Sequence, residues 1–126
     1  MKALLLIAHG SRSASANDEI RALTAQLRNK GGGFNLVDCA FLEMTEPDIV
    51  RGGDKLAAAG ATEIVVLPYF LAAGRHVAED IPAEIARIER RHPRIKITLA
   101  SHFGAAPGVP ELIHGHLRQS MKTCRQ

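Results

Sequence analysis

The chain has 126 residues, of which 46% are apolar and 23% charged, and this length and composition predict a single domain spanning residues 1–126. No apolar run reaches the roughly 18 to 20 residues of a membrane span, and Cys39 and Cys124 form no disulfide framework, so we expect a cytoplasmic protein without a membrane partner. The net charge of +3 is spread along the chain and aromatic residues make up only 4%, which disfavours nucleic-acid binding.

The first element is a continuous apolar run at 2–8, which ends at the turn His9-Gly10-Ser11-Arg12. Such a run is typical of a buried parallel strand, and the strand places His9 at an edge of the sheet. A helix follows, because apolar residues recur at helical spacing: Ala16, Ile20, Leu23 and Leu27. Ser13 or Ser15 can cap its start, and the glycines at 31–33 end it.

The second strand is predicted at 34–42 and is followed at once by Glu43. The group Glu46-Pro47-Asp48 then opens a second helix. Two glycines in the middle of this helix, Gly52 and Gly53, are expected to weaken it by about 1 kcal/mol each relative to alanine.

The third strand is predicted at 62–67, where the residues are apolar and β-branched, and Pro68 stops it. The next helix is marked by apolar residues at helical spacing: Val77, Ile81, Ile85 and Ile88. Because proline is tolerated only in a first turn, Pro82 predicts that regular helix begins near 79–81. His76 is then expected in the preceding loop or in a first loose turn.

The fourth strand is predicted at 94–100, and a last helix at 110–121 is expected to turn Leu112, Ile113 and Leu117 inward. The repeated order of strand and helix predicts an α/β fold in three layers, a four-stranded parallel sheet flanked by helices. The carboxyl ends of the strands then meet at one edge, where open α/β sheets bind ligands.

That edge is predicted to collect His9, Glu43 and His76, with His102 a weaker candidate for substrate contact. An imidazole binds late first-row divalent ions, and a neighbouring carboxylate completes such a site or accepts protons. Each residue also has a purely structural explanation, since a histidine can hydrogen-bond a turn carbonyl and a glutamate can be solvated. Spacing alone leaves the function open.

Gly10, Ser11, Arg12 and Arg75 are the candidate substrate-binding residues. A glycine turn, a hydroxyl and backbone N–H groups ahead of a helix suit an anion such as a carboxylate, and Arg75 could reach an acidic substituent. Ser11 is explained at least as well as a turn or cap residue, and Arg75 as a solvated charge. The sequence lacks G-x-G-x-x-G and G-x-x-x-x-G-K-[ST], which excludes the usual dinucleotide and P-loop motifs.

Three stretches resemble the CbiX/SirB family of sirohydrochlorin chelatases, at 6–12, 40–43 and 68–82. The third is the most specific, because fifteen contiguous positions resemble the family's second-histidine loop. The resemblance implies the chelatase-like fold and the short form of the family, which works as a homodimer with the tetrapyrrole in a cleft. It also implies that His9 and His76 bind the metal and that Glu43 is their acidic partner.

The resemblance weakens before the last helix, where many relatives have Leu-Gly-x-His-Pro and this chain has 103–107 as Phe-Gly-Ala-Ala-Pro. No role is therefore transferred to His102.

As a whole, the resemblance implies a cobaltochelatase of cobalamin biosynthesis that inserts Co²⁺ into a sirohydrochlorin-type tetrapyrrole, with the divalent metal as substrate and no tightly bound cofactor. Alternatives are the same reaction with iron or nickel, and a non-catalytic carrier of metal or tetrapyrrole. A serine hydrolase using Ser11 and His9 is disfavoured, because no G-x-S-x-G elbow is present.

Overall fold

Strands and helices alternate along the chain in the computed structural model, which describes residues 1–124 except the side chains of His76, Thr123 and Cys124. The strands in this part are β1 (Lys2–Ala8), β2 (Leu36–Phe41), β3 (Glu63–Pro68) and β4 (Lys96–Leu99). The helices are α1 (Ala14–Lys30), α2 (Ile49–Ala58), α3 (Arg75–Arg91) and α4 (Val109–Cys124), with a short 3-10 turn at Phe103–Ala105. The predicted α/β class is confirmed.

The four strands form one parallel sheet in the order β2-β1-β3-β4. Ile7 pairs with Ala40 on one side and with Pro68 on the other, so the first three strands end at nearly the same level. Side chains of β1 alternate between the two faces of the sheet. Leu5 and Ile7 pack with α2 and α3, whereas Leu6 and Ala8 pack with α1, which gives the predicted three layers.

Helix α2 lies unusually close to its neighbours because of its two glycines. A Cβ atom on Gly52 would lie 3.0 Å from the Cβ of Ala40, and one on Gly53 would lie 2.9 Å from Cδ1 of Ile88. Both glycines are buried, so they contribute close packing as well as the loss of helix propensity expected from the sequence. Asp48 caps the helix, as its side chain accepts a hydrogen bond from the Arg51 N–H.

Helix α3 begins earlier than Pro82 predicted. It starts at Arg75 instead of 79–81, and the Ala78 N–H already donates to the Gly74 carbonyl at 2.9 Å. An interior proline costs about 3 kcal/mol in an isolated helix. Here Ile81 and Ile85 on the same helix are buried against the sheet, and this tertiary packing offsets that cost.

Helix α4 does not turn its apolar residues inward, so that prediction was wrong. Leu112, Ile113 and Leu117 are exposed by 59%, 51% and 49%. Helical spacing identifies an apolar stripe but says nothing about which surface covers it, and within the described part of the chain that stripe faces solvent. Like the other described helices, α4 is not long and apolar enough to cross a membrane.

Candidate metal and substrate site

His9 and Glu43 lie side by side at the carboxyl edge of the sheet. His9 immediately follows β1 and Glu43 follows β2 by two residues. The Nε2 atom of His9 is 3.2 Å from Oε1 of Glu43, and both side chains are about half exposed. Two donors that bind one ion at about 2.1 Å and nearly at right angles lie about 3 Å apart. The two side chains lie at ion-pair distance, and the same spacing would also let both bind one divalent ion whose other coordination positions stay open.

Gly10 allows the two loops that present these side chains to meet. Its φ angle is +92°, and a Cβ atom there would lie 1.9 Å from the carbonyl oxygen of Glu43. The Glu43 N–H donates to the His9 carbonyl at 3.2 Å, which continues the pairing of β1 and β2 into the loops. Only glycine satisfies both the backbone angle and the close approach. The structure thus gives Gly10 a structural role, and its contact with substrate stays a prediction.

The backbone N–H of Ser11 was predicted to bind an anion, but in the structure it already has a hydrogen-bond partner inside the chain. The Ser11 N–H donates to Oδ1 of Asn17 at 2.9 Å, and Nδ2 of Asn17 donates back to the Ser11 carbonyl at 2.8 Å. Asn17 is buried, and both polar atoms of its side chain have a hydrogen-bond partner, as is usual for a buried amide. Asn17 was not among the predicted site residues, although its spacing to Ile20 and Thr24 places it on the inner face of α1.

Arg12 and Arg75 both extend from the carboxyl edge into solvent. Arg12 is exposed, and the Arg75 side chain is 92% exposed with its Nε 3.3 Å from Oε1 of Glu79. An ion pair this exposed contributes little and exchanges readily with another anion. Both guanidinium groups are therefore accessible to a carboxylate-bearing ligand.

His76 is the second residue of α3, so its backbone lies in the first turn of a helix that starts from the same edge. Its predicted side-chain role lies outside the described residues. His102 follows β4 and lines a small apolar pocket of about 160 Å³ together with Val77, Pro82 and Leu99. Among the described side chains, no group of three or more His, Cys, Asp or Glu is placed to hold a metal ion. His9 and Glu43 are thus a two-donor pair.

A family model described as CbiX matches residues 3–120. The chain belongs to the CbiX family. It is 34% identical to the sirohydrochlorin cobaltochelatase of Sulfolobus acidocaldarius, and the match covers 90% of this chain and 87% of that protein. The chain spans only 39 to 44% of the length of relatives from Priestia megaterium and Bacillus subtilis, which are named sirohydrochlorin cobaltochelatase or ferrochelatase.

Solved structures of CbiX proteins have the same fold. A cobalamin (vitamin B12) biosynthesis CbiX protein from Marinobacter aquaeolei superposes with a TM-score of 0.84 at 28% identity, covering 98% of this chain and 99% of that one. The sirohydrochlorin chelatase SirB from Bacillus subtilis, solved in complex with cobalt, gives a TM-score of 0.81 at 31% identity and covers 94% of this chain and 50% of that one.

Proposed function

We propose that this protein is a sirohydrochlorin cobaltochelatase, an enzyme that inserts Co²⁺ into the macrocycle of sirohydrochlorin on the route to cobalamin. The observation on which this rests is the His9 and Glu43 pair, with 3.2 Å between its donor atoms at the ligand-binding edge of a CbiX-family chain. The Sulfolobus acidocaldarius relative is named sirohydrochlorin cobaltochelatase, and the match covers most of its length. The SirB relative was solved in complex with cobalt.

In this proposal the divalent ion is a substrate, and the protein needs no tightly bound cofactor. His9 and His76 bind Co²⁺ in place of part of its water shell, and Glu43 is the acidic partner beside them. A closed site of four protein ligands would retain the ion, whereas a few donors with open positions allow its release. The half-exposed side chains of His9 and Glu43 agree with such an open site.

Metal insertion also requires that two pyrrole N–H protons leave the macrocycle as one Co²⁺ enters. The charge is balanced, because two positive charges leave and two arrive. Glu43 or a neutral imidazole accepts each proton and passes it to water, which requires hydrogen-bond reach to the ring nitrogens in the complex. The carboxylate of Glu43 is half exposed and can release a proton to solvent.

The surroundings of the pair suit a large ring with acidic side groups. Arg12 and Arg75 can bind peripheral carboxylates of sirohydrochlorin. Apolar side chains exposed near the same edge can contact the flat macrocycle: Met44, Tyr69, Leu71 and Leu99. The pocket beside His102 adds further apolar surface there.

We also propose that the protein works as a homodimer in the cytoplasm. The support for a dimer is α4, in which Val109, Ile113, Leu117 and Met121 recur every four residues and form one stripe. The last three of these are 49 to 58% exposed, and contiguous apolar surface of this kind is typical of an interface. A second copy of the chain is the proposed occupant.

The same reaction with Fe²⁺ is the second candidate. It is favoured by the relatives from Priestia megaterium and Bacillus subtilis that are named sirohydrochlorin ferrochelatase, which are 28% and 30% identical to this chain. Nitrogen and oxygen donors accept cobalt, nickel and iron alike, so the donor set does not choose among them.

Anaerobic absorbance spectroscopy of sirohydrochlorin with Co²⁺, Ni²⁺ or Fe²⁺ tests the function. The wild-type protein should accelerate metallation over many turnovers, fastest with Co²⁺. His9→Ala and His76→Ala should abolish that acceleration, and Glu43→Gln should lower kcat by about 100-fold through loss of a proton acceptor. His114→Ala, which removes an exposed histidine on α4, is the matched control and should behave as wild type.

Metallation at the spontaneous rate with all three metals would rule out a chelatase. Binding of Co²⁺ or sirohydrochlorin without turnover would then support the carrier. Fastest turnover with Fe²⁺ or Ni²⁺ would keep the chelatase and reassign its metal.

A further inference from the structure

The imidazole of His9 is contacted on a second side by an aromatic ring. The ring centroids of His9 and Phe70 are 6.3 Å apart with an angle of 88° between the planes, an edge-to-face contact. Oε1 of Glu43 lies 3.2 Å from the Nε2 atom, and Phe70 limits the orientation of the rest of the ring. A half-exposed histidine is thus restrained more than its exposure suggests.

Phe70 is itself fixed by the turn that follows β4. The Gly104 N–H donates to the Phe70 carbonyl at 2.8 Å. A Cβ atom on Gly104 would lie 1.7 Å from the carbonyl oxygen of Leu71, a backbone atom that a side-chain rotation cannot move away. The rings of Tyr69 and Phe103 are 5.7 Å apart and join the same two segments. The 3-10 turn at Phe103–Ala105 therefore holds the loop between β3 and α3 in place. We call the contacts of this turn with Tyr69, Phe70 and Leu71 the clamp.

We propose that Phe70 and Gly104 are positioning residues that fix the direction in which His9 presents the metal. The proposal rests on the proposed function, since it assigns these residues to the delivery of Co²⁺ to the ring nitrogens. Transfer of an ion between two sets of donors depends strongly on alignment, and displacements of about 1 Å reduce such rates by about 100-fold. The clamped loop also leads directly into α3, so Gly104 restrains both histidine-bearing segments.

Gly104→Ala tests the clamp, and Gly108→Ala is its matched control. Gly108 lies four residues away, and a Cβ atom there would have no neighbour within 4 Å, so alanine fits at this position. Phe70→Leu removes the aromatic ring and leaves the glycine unchanged, whereas Phe70→Tyr keeps an aromatic ring at this position. We expect Gly104→Ala and Phe70→Leu to lower kcat at least tenfold with KM for sirohydrochlorin nearly unchanged, because alignment and not binding is lost. Gly108→Ala and Phe70→Tyr should stay within twofold of wild type.

The visible absorption of protein-bound Co²⁺, recorded without tetrapyrrole, is the second readout. Its band positions report the geometry of the ligands, so Phe70→Leu and Gly104→Ala should change the spectrum and the two controls should not. A wild-type spectrum and kcat in both test variants would overturn the proposal, as would equal losses in Gly104→Ala and Gly108→Ala. If wild-type protein fails to metallate sirohydrochlorin, the proposed function fails, and the Co²⁺ spectra alone still decide whether the clamp orients His9.

Discussion

At the scale of single residues, Gly10 has the most demanding position at the site. Its φ of +92° is nearly matched by the +89° of Gly33, but Gly33 has open space where a Cβ would lie, whereas Gly10 faces the Glu43 carbonyl at 1.9 Å. Gly33→Ala should cost about 1 kcal/mol of unfolding free energy through the backbone angle alone. Gly10→Ala should cost about 3 kcal/mol, because the loops must also separate.

Urea unfolding of the two variants measures this difference, and the metallation assay measures its effect on the site. Gly10→Ala should lose chelatase activity, since the separation of His9 from Glu43 increases, whereas Gly33→Ala should keep it. Equal free energies of unfolding for the two variants would show that the approach to Glu43 imposes no constraint of its own.

His9 and Glu43 could be placed near the edge from the sequence, because each comes directly after a predicted apolar strand. The roles of Asn17, Phe70 and Gly104 were missed for a common physical reason. Each acts through a contact between segments distant in sequence or through a backbone atom, as when Gly104 meets Leu71. Periodicity describes which face a residue occupies, and it contains no information about which loop lies opposite.

At the scale of helices and strands, two effects oppose each other at the glycines of α2. Alanine would raise the helix propensity there, but its methyl group would crowd the neighbouring side chains. A methyl group on Gly53 would lie 2.9 to 3.1 Å from three atoms of Ile88, which is buried and stiff. Gly53→Ala should therefore destabilise the protein by about 1 to 2 kcal/mol, since overpacking exceeds the gain in helix propensity. Gly115→Ala in α4, where the nearest atom is 3.8 Å away, should instead stabilise it by up to about 1 kcal/mol. Opposite signs in chemical denaturation would verify the argument, and stabilisation by both would refute it.

The α2 and α3 helices are also joined by a charged contact at Asp54. Its carboxylate accepts hydrogen bonds from Arg91 at 2.6 and 3.0 Å and from His92 at 2.7 Å. The Arg91 hydrogen bond, followed by that of His92, holds the pKa of Asp54 below its usual value of 3.8. A lowered carboxyl pKa contributes stability that is present above the unfolded-state value and is lost as pH falls through the folded-state value.

Asp54→Asn should consequently lower Tm by a few degrees at neutral pH, and the difference from wild type should shrink as pH falls below about 3.8. Thermal unfolding followed by circular dichroism between pH 3 and 7 measures this. Asp18→Asn removes the same charge from the more exposed pair with Arg21 and should change Tm much less. A pH-independent difference for Asp54→Asn would contradict the assignment to ionisation.

The alternation of strands and helices was predictable, because continuous apolar runs identify buried parallel strands and helical spacing identifies what lies between them. The start of α3 at Arg75 was not predictable, because the burial of Ile81 and Ile85 outweighs the cost of Pro82 inside the helix. The orientation of α4 was not predictable either. Its stripe is a property of the sequence, but whether another surface packs against the stripe depends on residues outside α4.

At the scale of the whole molecule, the large exposed apolar side chains are not scattered. Apart from Met1, those among the described side chains lie on α4 or near the carboxyl edge of the sheet. Scattered apolar residues need no explanation, whereas clustered ones indicate a surface that becomes covered. The substrate accounts for the edge in our proposal, and a second copy of the chain accounts for α4.

The double variant Ile113→Glu/Leu117→Glu places two charges in the stripe of α4, and His114→Glu/Arg118→Glu places them one position further along, on its polar side. Light scattering at micromolar concentration should give wild type and the control twice the chain mass of 13.6 kDa, and the stripe variant a single chain mass. Burying a glutamate against an apolar partner is strongly unfavourable, whereas the folded monomer already exposes these positions and should keep its circular dichroism spectrum.

If the wild type is a monomer, or if the stripe variant remains a dimer, α4 is not the dimer interface. If the dimer dissociates and metallation stops while His9 and Glu43 still bind Co²⁺, the second copy is needed for the macrocycle and not for the metal.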